Sequence, residues 1–250
     1  MEEKFLTNKT VLISGASRGI GAEIAMLAAE HGAKLILCAR SEDSLESIKS
    51  RVGTALVGTA LVGTALVGTL PVDFSIQNDI DLLRERLLPF GAIDFVVNNA
   101  GIARFKPMKV FTADDYNDIF NVNVFGPFSL IKAVLPEMLE RESGAIININ
   151  SVASIKTFPY NSLYAASKSA FLTMSRVLRA ETSKKGIKVI DVLPGATETE
   201  IWSPENREKL RASMMQPLDV ASVVLDAMRS ALNPRLHVEE IIVRPQCGDF

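Results

Sequence analysis

The sequence predicts a single-domain α/β fold in which one doubly wound parallel sheet of about seven strands is covered by helices on both faces. Two observations predict it. Short apolar segments such as KTVLISG and AKLILCAR alternate with longer segments of helical periodicity along the 250 residues. The apolar segments also lack the strict alternation of strands that face water on one side, which is typical of parallel sheets buried on both faces.

Each element follows from these two patterns. Strands are predicted in KTVLISG, AKLILCAR, LPVDF, IDFVVNNAG, GAIININS, IKVIDVLPG and EEIIVRP. Helices are predicted in AEIAMLAAEHG, which Gly32 closes, in EDSLESIKS after a Ser41 N-cap, over residues 79–88, over residues 114–139 with an interruption near Gly126 and Pro127, and over residues 163–184 and 218–230.

Composition and charge narrow the function. The chain is 48% hydrophobic and 22% charged, with a formal net charge of -2 and no linker-like segment, so residues 1–250 are interpreted as one domain. The near-neutral balance disfavours nucleic acid as a partner. Cys38 and Cys247 lie far apart outside any CxxC pair, and no His or carboxylate cluster has ligand spacing, so we expect neither a disulfide framework nor a metal. The acidic N-terminal segment favours a cytoplasmic protein.

A repeat interrupts the alternating pattern. Residues 52–70 contain three copies of VGTAL and part of a fourth, between EDSLESIKS and LPVDF. The run is uncharged and reaches the lower end of the roughly 17–25 residues that a membrane-spanning helix needs. Its Gly and Thr content and its five-residue period give no constant helical face. We therefore interpret it as an insertion between the second helix and the third strand, and expect no membrane association.

A glycine turn follows the first predicted strand. Gly15, Gly19 and Gly21 stand between that strand and a helix. Glycines at such a turn let a pyrophosphate approach the helix N-terminus and its partial positive charge. The turn therefore predicts a dinucleotide site.

Several motifs together resemble the classical short-chain dehydrogenase/reductase family over nearly the whole chain. They are SGASRGIG (14–21), NNAG (98–101), NVNVFG (121–126), Ser151, the Tyr164-Ala-Ala-Ser-Lys168 segment and PGATET (194–199). The resemblance implies a single-domain Rossmann fold and an oxidoreductase. It implies catalytic roles for Asn123, Ser151, Tyr164 and Lys168. The implied cofactor-binding residues are Gly15, Ser17, Arg18, Gly19, Ile20, Gly21, Arg40, Ser41, Asp73, Phe74, Asn99, Ala100, Gly101, Tyr164, Lys168, Pro194, Gly195, Thr197 and Thr199.

The catalytic residue types suit carbonyl reduction. A tyrosine with an ordinary pKa of about 10 exchanges protons poorly at neutral pH. Lys168 lies one helical turn after Tyr164, so we expect its ammonium to lower the pKa of the phenol and to hold the nicotinamide ribose. Ser151 would orient the substrate oxygen. By the resemblance, Asn123 anchors a water chain that leads to Lys168.

The second strand indicates the cofactor. Ala39 stands where relatives that prefer NAD carry an acidic residue, and Arg40 follows it. Arg18 approaches from the glycine turn, so the two guanidiniums predict a clamp for the extra phosphate of NADP(H). The alternative is that Arg40 only stacks on adenine and either cofactor binds. In the family, the acid at Asp73 contacts the adenine.

Substrate choice is expected in residues 102–111, 154–162 and 196–217. The last stretch is polar, with Ile201, Trp202, Met214 and Met215 as a lid over an apolar pocket and Trp202 near the nicotinamide. The alternative is a helix pair that packs on the domain. His31 and His237 are expected on the surface and Cys38 in strand packing.

The preferred hypothesis is an NADP(H)-dependent oxidoreductase that interconverts a ketone or aldehyde with its alcohol, with Tyr164 as the general acid and base. A 3-oxoacyl thioester reductase is the alternative, and Arg104, Lys106 and Lys109 leave binding of an acyl carrier open. A non-catalytic NADP-binding sensor or scaffold is disfavoured, because it would not need Tyr164 and Ser151. The resemblance implies a homotetramer or homodimer built on the helices around Phe125 and Tyr164.

Overall fold

A computed structural model describes residues 4–55 and 66–249, which form one seven-stranded parallel sheet with helices on both faces. The strand order is β3-β2-β1-β4-β5-β6-β7, and every neighbouring pair is parallel. The strands are β1 (Thr10–Ser14), β2 (Lys34–Ala39), β3 (Leu66–Pro71), β4 (Phe95–Asn98), β5 (Gly144–Ile149), β6 (Ile187–Pro194) and β7 (Glu240–Val243). The predicted fold class is confirmed.

Nine α-helices lie within the described ranges. They are α1 (Gly19–Glu30), α2 (Glu42–Ala55), α3 (Gln77–Asp81), α4 (Leu83–Leu87), α5 (Ala113–Phe120), α6 (Gly126–Glu140), α7 (Ser162–Thr182), α8 (Pro204–Leu210) and α9 (Pro217–Ala231). The single helix predicted over residues 79–88 is two short helices, α3 and α4. A π-helical turn, Asn121–Phe125, joins α5 to α6 just before the predicted interruption at Gly126 and Pro127.

Successive residues of the central strands point into two separate cores. Val11 and Ile13 of β1 pack with α1, α2 and α9 on one face of the sheet. Leu12 between them packs with α4, α6 and α7 on the other face. Because side chains alternate along a strand, both faces of β1 must be apolar, and this produces the continuous apolar run in the sequence.

The repeat supplies the ends of two elements. Residues 52–55 form the last turn of α2, and residues 66–70 belong to β3. β3 has the predicted edge position, but it begins four residues before the predicted segment LPVDF, so the prediction that all of residues 52–70 are an insertion before the strand is wrong. The register between β3 and β2 shifts at Leu35 and Ile36, where Leu66 and Gly68 are the successive partners. Residues 56–65 of the predicted insertion lie outside the described residues.

One helical stretch within the described ranges, Ala113–Glu140, is long and apolar enough to cross a membrane by length and composition. Core helices pass the same test, and this stretch carries Leu130, Val134 and Met138 in the core against the sheet. Its apolar residues are therefore accounted for by packing inside the domain.

The prediction of a surface position for His31 is wrong. Its side chain is buried, and its ring centroid lies 4.9 Å from that of Phe5. The segment before β1 folds back over the end of α1, because Leu6 N donates a hydrogen bond to His31 O. His237 is half-buried and its Nε2 accepts from Val189 N at 3.1 Å. Cys38 is buried in β2 as predicted, and this burial raises the pKa of its thiol to about 12.

The turn before β6 provides a stability test. Gly186 has φ +74°, and a Cβ there would collide with the carbonyl oxygen of Glu142. Gly186→Ala should therefore lower the free energy of unfolding by about 1–3 kcal/mol, because the left-handed backbone and the collision both penalise a side chain. Chemical denaturation measures this.

Gly53→Ala is the matched control. Gly53 lies within α2, and no atom lies within 4 Å of where its Cβ would be. The same substitution there should raise the stability by roughly 0.5–1 kcal/mol, because alanine is the better helix former. Equal effects of the two substitutions would contradict the conclusion that the backbone conformation and the close contact at Gly186 exclude a side chain.

Candidate active site

A cavity of about 870 Å³ opens at the carboxyl ends of the strands. It lies beside β1, whose neighbours β2 and β4 begin the two halves of the sheet. In open α/β sheets, ligands bind where the strand order reverses in this way. Its volume falls within the range of cofactor and substrate sites.

Nearly all the predicted site residues line this cavity. They are Gly15, Ser17, Arg18, Gly19, Ile20, Arg40, Ser41, Asp73, Phe74, Asn99, Ala100, Gly101, Ser151, Tyr164, Lys168, Pro194, Gly195, Thr197 and Thr199. Gly21 and Asn123 do not line it, and both lie behind its wall. The cavity thus brings together residues that come from six strand ends and the start of two helices.

The glycine turn is fixed to the end of β4. Ser14 Oγ accepts hydrogen bonds from the backbone N–H groups of Asn99 at 3.0 Å and Ala100 at 3.1 Å. In return, Asn99 Nδ2 donates to the carbonyl oxygens of Ser14 and Gly15. Gly21 packs so closely beneath the turn that a Cβ would collide with Gly15 O and Asn99 Nδ2. Its role in this structure is therefore close packing.

A dinucleotide suits the arrangement of the turn. Gly15 and Gly19 both have positive φ and line the cavity, so neither residue places a side chain of its own between the cavity and the start of α1. Arg18, the N-cap of α1, makes no side-chain capping bond, which leaves the first N–H groups of the helix available for an anion.

Two arginines line the cavity. Arg40 is exposed just after β2, where Ala39 contributes no carboxylate. The Arg18 side chain is 64% exposed, and its Nε lies 4.0 Å from Glu200 Oε2. Asp73 also lines the cavity, and its Oδ1 caps the following turn by accepting from Ser75 N at 2.9 Å.

Tyr164 and Lys168 face the cavity from the first turns of α7. Lys168 Nζ lies 5.9 Å from the centroid of the Tyr164 ring and donates to Ile149 O at 2.8 Å. Burial lowers the pKa of Lys168 to about 8. Burial also raises the pKa of Tyr164, and a hydrogen bond with Ser151 offsets part of that rise. The net shift of the phenol pKa is therefore upward, opposite to the predicted direction, because desolvation outweighs the hydrogen bond with Ser151.

Ser151 lies at the end of β5 and caps the short turn that follows. Its Oγ accepts from Ala153 N at 3.1 Å and lies 3.5 Å from Pro194 O. The hydroxyl groups of Ser151 and Tyr164 are therefore neighbours on the cavity wall. Both could donate a hydrogen bond to the carbonyl oxygen of one bound substrate.

Asn123 connects two parts of the site from behind. It lies in the π-helical turn with its side chain buried. Its Nδ2 donates to Ile102 O at 2.9 Å and Ser167 Oγ at 3.0 Å, and its Oδ1 accepts from Ile102 N at 2.8 Å. The side chain thus holds the loop after β4 against the helix that carries Lys168. The predicted water chain stays a prediction.

Aromatic side chains line the outer end of the cavity. Phe105 stacks on Trp202 with ring centroids 5.1 Å apart, and its edge faces Tyr164 at 6.3 Å. Phe158 and Tyr160 line the same end. Phe105, Phe158, Tyr160 and Trp202 belong to the three segments predicted to choose the substrate. All three segments contribute residues to the lining.

The predicted lid divides into two parts. Ile201 and Trp202 line the cavity, whereas Met214 and Met215 are buried away from it. Met215 packs in the core with α9, and Thr197 forms a β-bridge with it. The expectation that both methionines face the pocket is wrong, because this bridge turns the segment back onto the domain.

Sequence reasoning missed Asp249, which also lines the cavity. The residue lies close to the C-terminus, in no motif, and only the folded chain brings it beside Gly195. Within the described ranges, no group of three or more His, Cys, Asp or Glu side chains is placed to hold a metal ion.

The fold and the cavity define a Rossmann-type nucleotide-binding oxidoreductase. The chain belongs to the short-chain dehydrogenase family, whose model matches residues 9–210. It is 32% identical to an uncharacterized oxidoreductase of Staphylococcus aureus (strain MRSA252), over 96% of this chain and 98% of the relative. It is 35% identical to the sepiapterin reductase of Chlorobaculum tepidum, over 96% and 97%. A short-chain dehydrogenase from Sphingobium yanoikuyae, solved in complex with NADPH, superposes with a TM-score of 0.81 at 30% identity, over 95% and 88%.

The depressed pKa of Lys168 predicts how stability depends on pH. The unfolded chain holds the lysine proton up to its ordinary pKa of 10.5, whereas the folded chain releases it at about 8. The unfolded state therefore binds more protons between these values, so the contribution of Lys168 to stability rises with pH across that window, by up to about 3 kcal/mol.

The measurement is the unfolding free energy of wild type minus that of Lys168→Met, from pH 7 to pH 10. Other titrating groups cancel in this difference, which should grow as the pH rises. Lys132→Met is the control, because Lys132 is exposed, and its difference should stay flat. A difference that does not change with pH for either variant would refute the lowered pKa of Lys168.

Proposed function

We propose that the protein is an NADP(H)-dependent reductase that interconverts a ketone or aldehyde with the corresponding alcohol. One observation carries this proposal: Ser151, Tyr164 and Lys168 share one wall of the cavity that begins at the glycine turn. A nucleotide that bound only as a signal would need no hydroxyl pair at that point, so the non-catalytic sensor stays disfavoured.

The residues have distinct roles in the reduction. NADPH, when bound, supplies a hydride to the carbonyl carbon. Ser151 donates a hydrogen bond to the carbonyl oxygen and orients it, and the Tyr164 hydroxyl donates the proton that this oxygen takes up. Lys168 holds the nicotinamide ribose and stabilises the resulting phenolate with its ammonium. In the oxidation of an alcohol, the Tyr164 phenolate accepts the proton.

NADP(H) is the favoured cofactor because Arg40 follows β2 and no acidic residue stands at its end, where a carboxylate would repel the extra phosphate. Arg40 and Arg18 line the end of the cavity that the adenosine would occupy, and guanidiniums bind a phosphate with charge-assisted hydrogen bonds. The Sphingobium relative, solved with NADPH, supports the same choice.

The structure disfavours the 3-oxoacyl thioester alternative in one respect. Arg104 Nη2 pairs with Asp118 Oδ2 at 2.8 Å, and Lys106 pairs with Asp115. These cations are engaged within the domain and hold the loop after β4 against α5, which leaves Lys109 as the remaining member of the predicted cationic group. A small carbonyl substrate needs no such surface.

We also propose a homodimer or homotetramer in the cytoplasm. Phe125 and Phe128 of the α6 region and Val177 of α7 expose large apolar side chains, as a symmetric helical interface would. Both cysteines are unpaired, which suits a reducing compartment.

Tyr164→Phe tests the proton transfer. The substitution removes one hydroxyl from the cavity wall, so ketone reduction should fall by roughly 10²–10⁴-fold while NADPH binding is kept. Steady-state NADPH oxidation and a direct binding titration measure the two effects. Unchanged turnover in this variant would overturn the assignment of the proton donor.

Arg40→Ala tests the cofactor choice. Loss of a hydrogen bond to a phosphate costs about 1.5–3 kcal/mol, so the Kd for NADPH should rise by about 10-fold to 100-fold. The Kd for NADH should change little. Arg84→Ala, at a residue that does not line the cavity, should change neither. Equal weakening of both cofactors would instead indicate that Arg40 stacks on adenine.

A further inference from the structure

One face of α7 carries polar side chains along most of its length. The residues stand four, seven and four positions apart: Tyr164, Lys168, Ser175 and Arg179. At 3.6 residues per turn they fall within a sector of about 60° around the helix axis. The first two line the cavity, whereas Ser175 and Arg179 are buried and do not line it. One helix face therefore joins the candidate active site to a second polar cluster.

Arg179 attaches α7 to β6 and to the residue before β7. Its guanidinium pairs with Asp191 Oδ2, donates from Nε to Val189 O at 2.8 Å and donates from Nη2 to Glu239 O at 2.9 Å. Ser175 Oγ donates to the same oxygen of Asp191 at 2.6 Å. The side chains of Arg179 and Asp191 are 8% and 0% exposed. A planar guanidinium held at three points opposes both rotation of the helix and sliding along β6.

Stability alone does not account for this ion pair. Burial raises the pKa of Asp191 to about 6, because desolvation outweighs the opposing effects of Ser175 and Arg179. The ionised carboxylate is therefore less favourable in the fold than in water. Apolar side chains of similar volume can stabilise a core as well as a buried ion pair does. They cannot fix a direction, because hydrophobic contacts are non-directional.

Strand β5 connects this cluster with the reacting hydroxyls. Asn148 Nδ2 donates to Ser175 Oγ at 2.8 Å. Lys168 Nζ donates to the backbone carbonyl of the next residue of the strand, also at 2.8 Å. Ser151 follows at the end of β5 and hydrogen-bonds with Tyr164. The meeting of the two hydroxyls therefore depends on the register of α7 over β5.

We propose that the buried ion pair of Arg179 and Asp191 positions the proton donor, because it fixes α7 over β5 and β6 and so holds the Tyr164 hydroxyl against Ser151. Arg179 lies fifteen residues after Tyr164, about 22 Å along the helix, so the pair acts without touching substrate or cofactor. Arg179 and Asp191 are positioning residues. Their effect on turnover rests on the proposed function, whereas their effect on the tyrosine hydrogen bond does not.

The test variant carries Arg179→Met and Asp191→Asn together. It leaves neither member of the pair as an unpaired charge, keeps an acceptor for Ser175 and keeps an apolar stem at the arginine position, so the fold should be retained. The guanidinium contacts are lost. The kcat for ketone reduction should fall by roughly 10-fold to 100-fold, because a small displacement of a reacting group has this effect. The Kd for NADPH should stay the same.

Two backgrounds separate positioning from a general loss of structure. The double substitution is made in wild type and in Tyr164→Phe, and single-turnover NADPH oxidation is measured with the enzyme in excess. If the pair acts through the Tyr164 hydroxyl, the rate falls in the first background and changes by less than about twofold in the second. A loosened fold would lower both rates by the same factor, and this result would overturn the proposal.

The tyrosine hydrogen bond is measured by NMR with ¹³C at the tyrosine Cζ atoms. The chain has three tyrosines, and the Tyr164 resonance is assigned by its loss in Tyr164→Phe. In the test variant this resonance should move towards its position in Ser151→Ala, which lacks the hydrogen bond. The resonances of Tyr116 and Tyr160 should stay in place. A Tyr164 resonance that does not move would overturn the proposal.

Arg176→Met is the matched control. Arg176 also joins α7 to β7, because its Nε lies 2.6 Å from Glu240 Oε1, but its side chain is 48% exposed. Exposed ion pairs contribute little, so this variant should keep the wild-type kcat and the wild-type Tyr164 resonance. A loss equal to that of the test variant would overturn the specific role of the buried pair.

Arg179→Lys is the second variant and serves if the double substitution prevents folding. It keeps a positive charge beside Asp191 but replaces the planar fork with a single ammonium, so it should lower kcat and move the Tyr164 resonance in the same direction. Wild-type values of both in Arg179→Lys would overturn the proposal. A shifted Tyr164 resonance in an enzyme that reduces no ketone would support the positioning role and reject the proposed reduction.

Discussion

The close approach of α1 to the turn after β1 is the constraint on which the rest of the structure depends. No side chain fits at Gly21, because Gly15 O and Asn99 Nδ2 occupy the space. Ser14 and Asn99 then exchange hydrogen bonds across the gap between β1 and β4. These contacts fix the position of the end of β1 relative to the end of β4. The cavity opens at this place, where the strand order of the sheet reverses.

The position of α7 depends on a second, buried set of contacts. Asn98 Nδ2 donates to Asn148 Oδ1, Asn148 Nδ2 donates to Ser175 Oγ, and Ser175 Oγ donates to Asp191 Oδ2 at 2.6 Å. Burial raises the pKa of Asp191 to about 6, although Arg179 pairs with it. The contacts run from β4 through β5 to Ser175 of α7, the helix that presents Tyr164 and Lys168, and end on Asp191 of β6. Because these hydrogen bonds are buried, any slip between the strands and α7 would break them without exchange for bonds to water.

The sequence predicts those parts of the molecule that depend on local patterns. Six of the seven strands and the edge position of the third follow from apolar runs and their order, whereas the third strand begins four residues before the predicted segment LPVDF. Nearly all the residues that the motifs predicted for the site line the cavity. The failures involve contacts between distant segments. His31 is buried because residues before β1 cover it, and Met214 and Met215 are turned away by a bridge to Thr197. The pKa of Tyr164 depends on burial, which no spacing reveals, and Asp249 reaches the cavity only through the path of the folded chain.

The repeat has a consequence for the gene. The last turn of α2 ends in VGTA and β3 begins with LVGT, so both elements use the same five-residue unit. Replication slippage that added or removed one unit would leave the sequence of the helix end and of the edge strand unchanged. Only the length of chain between them would vary, at a small entropic cost. Alleles that differ in copy number should therefore encode the same sheet and the same cavity.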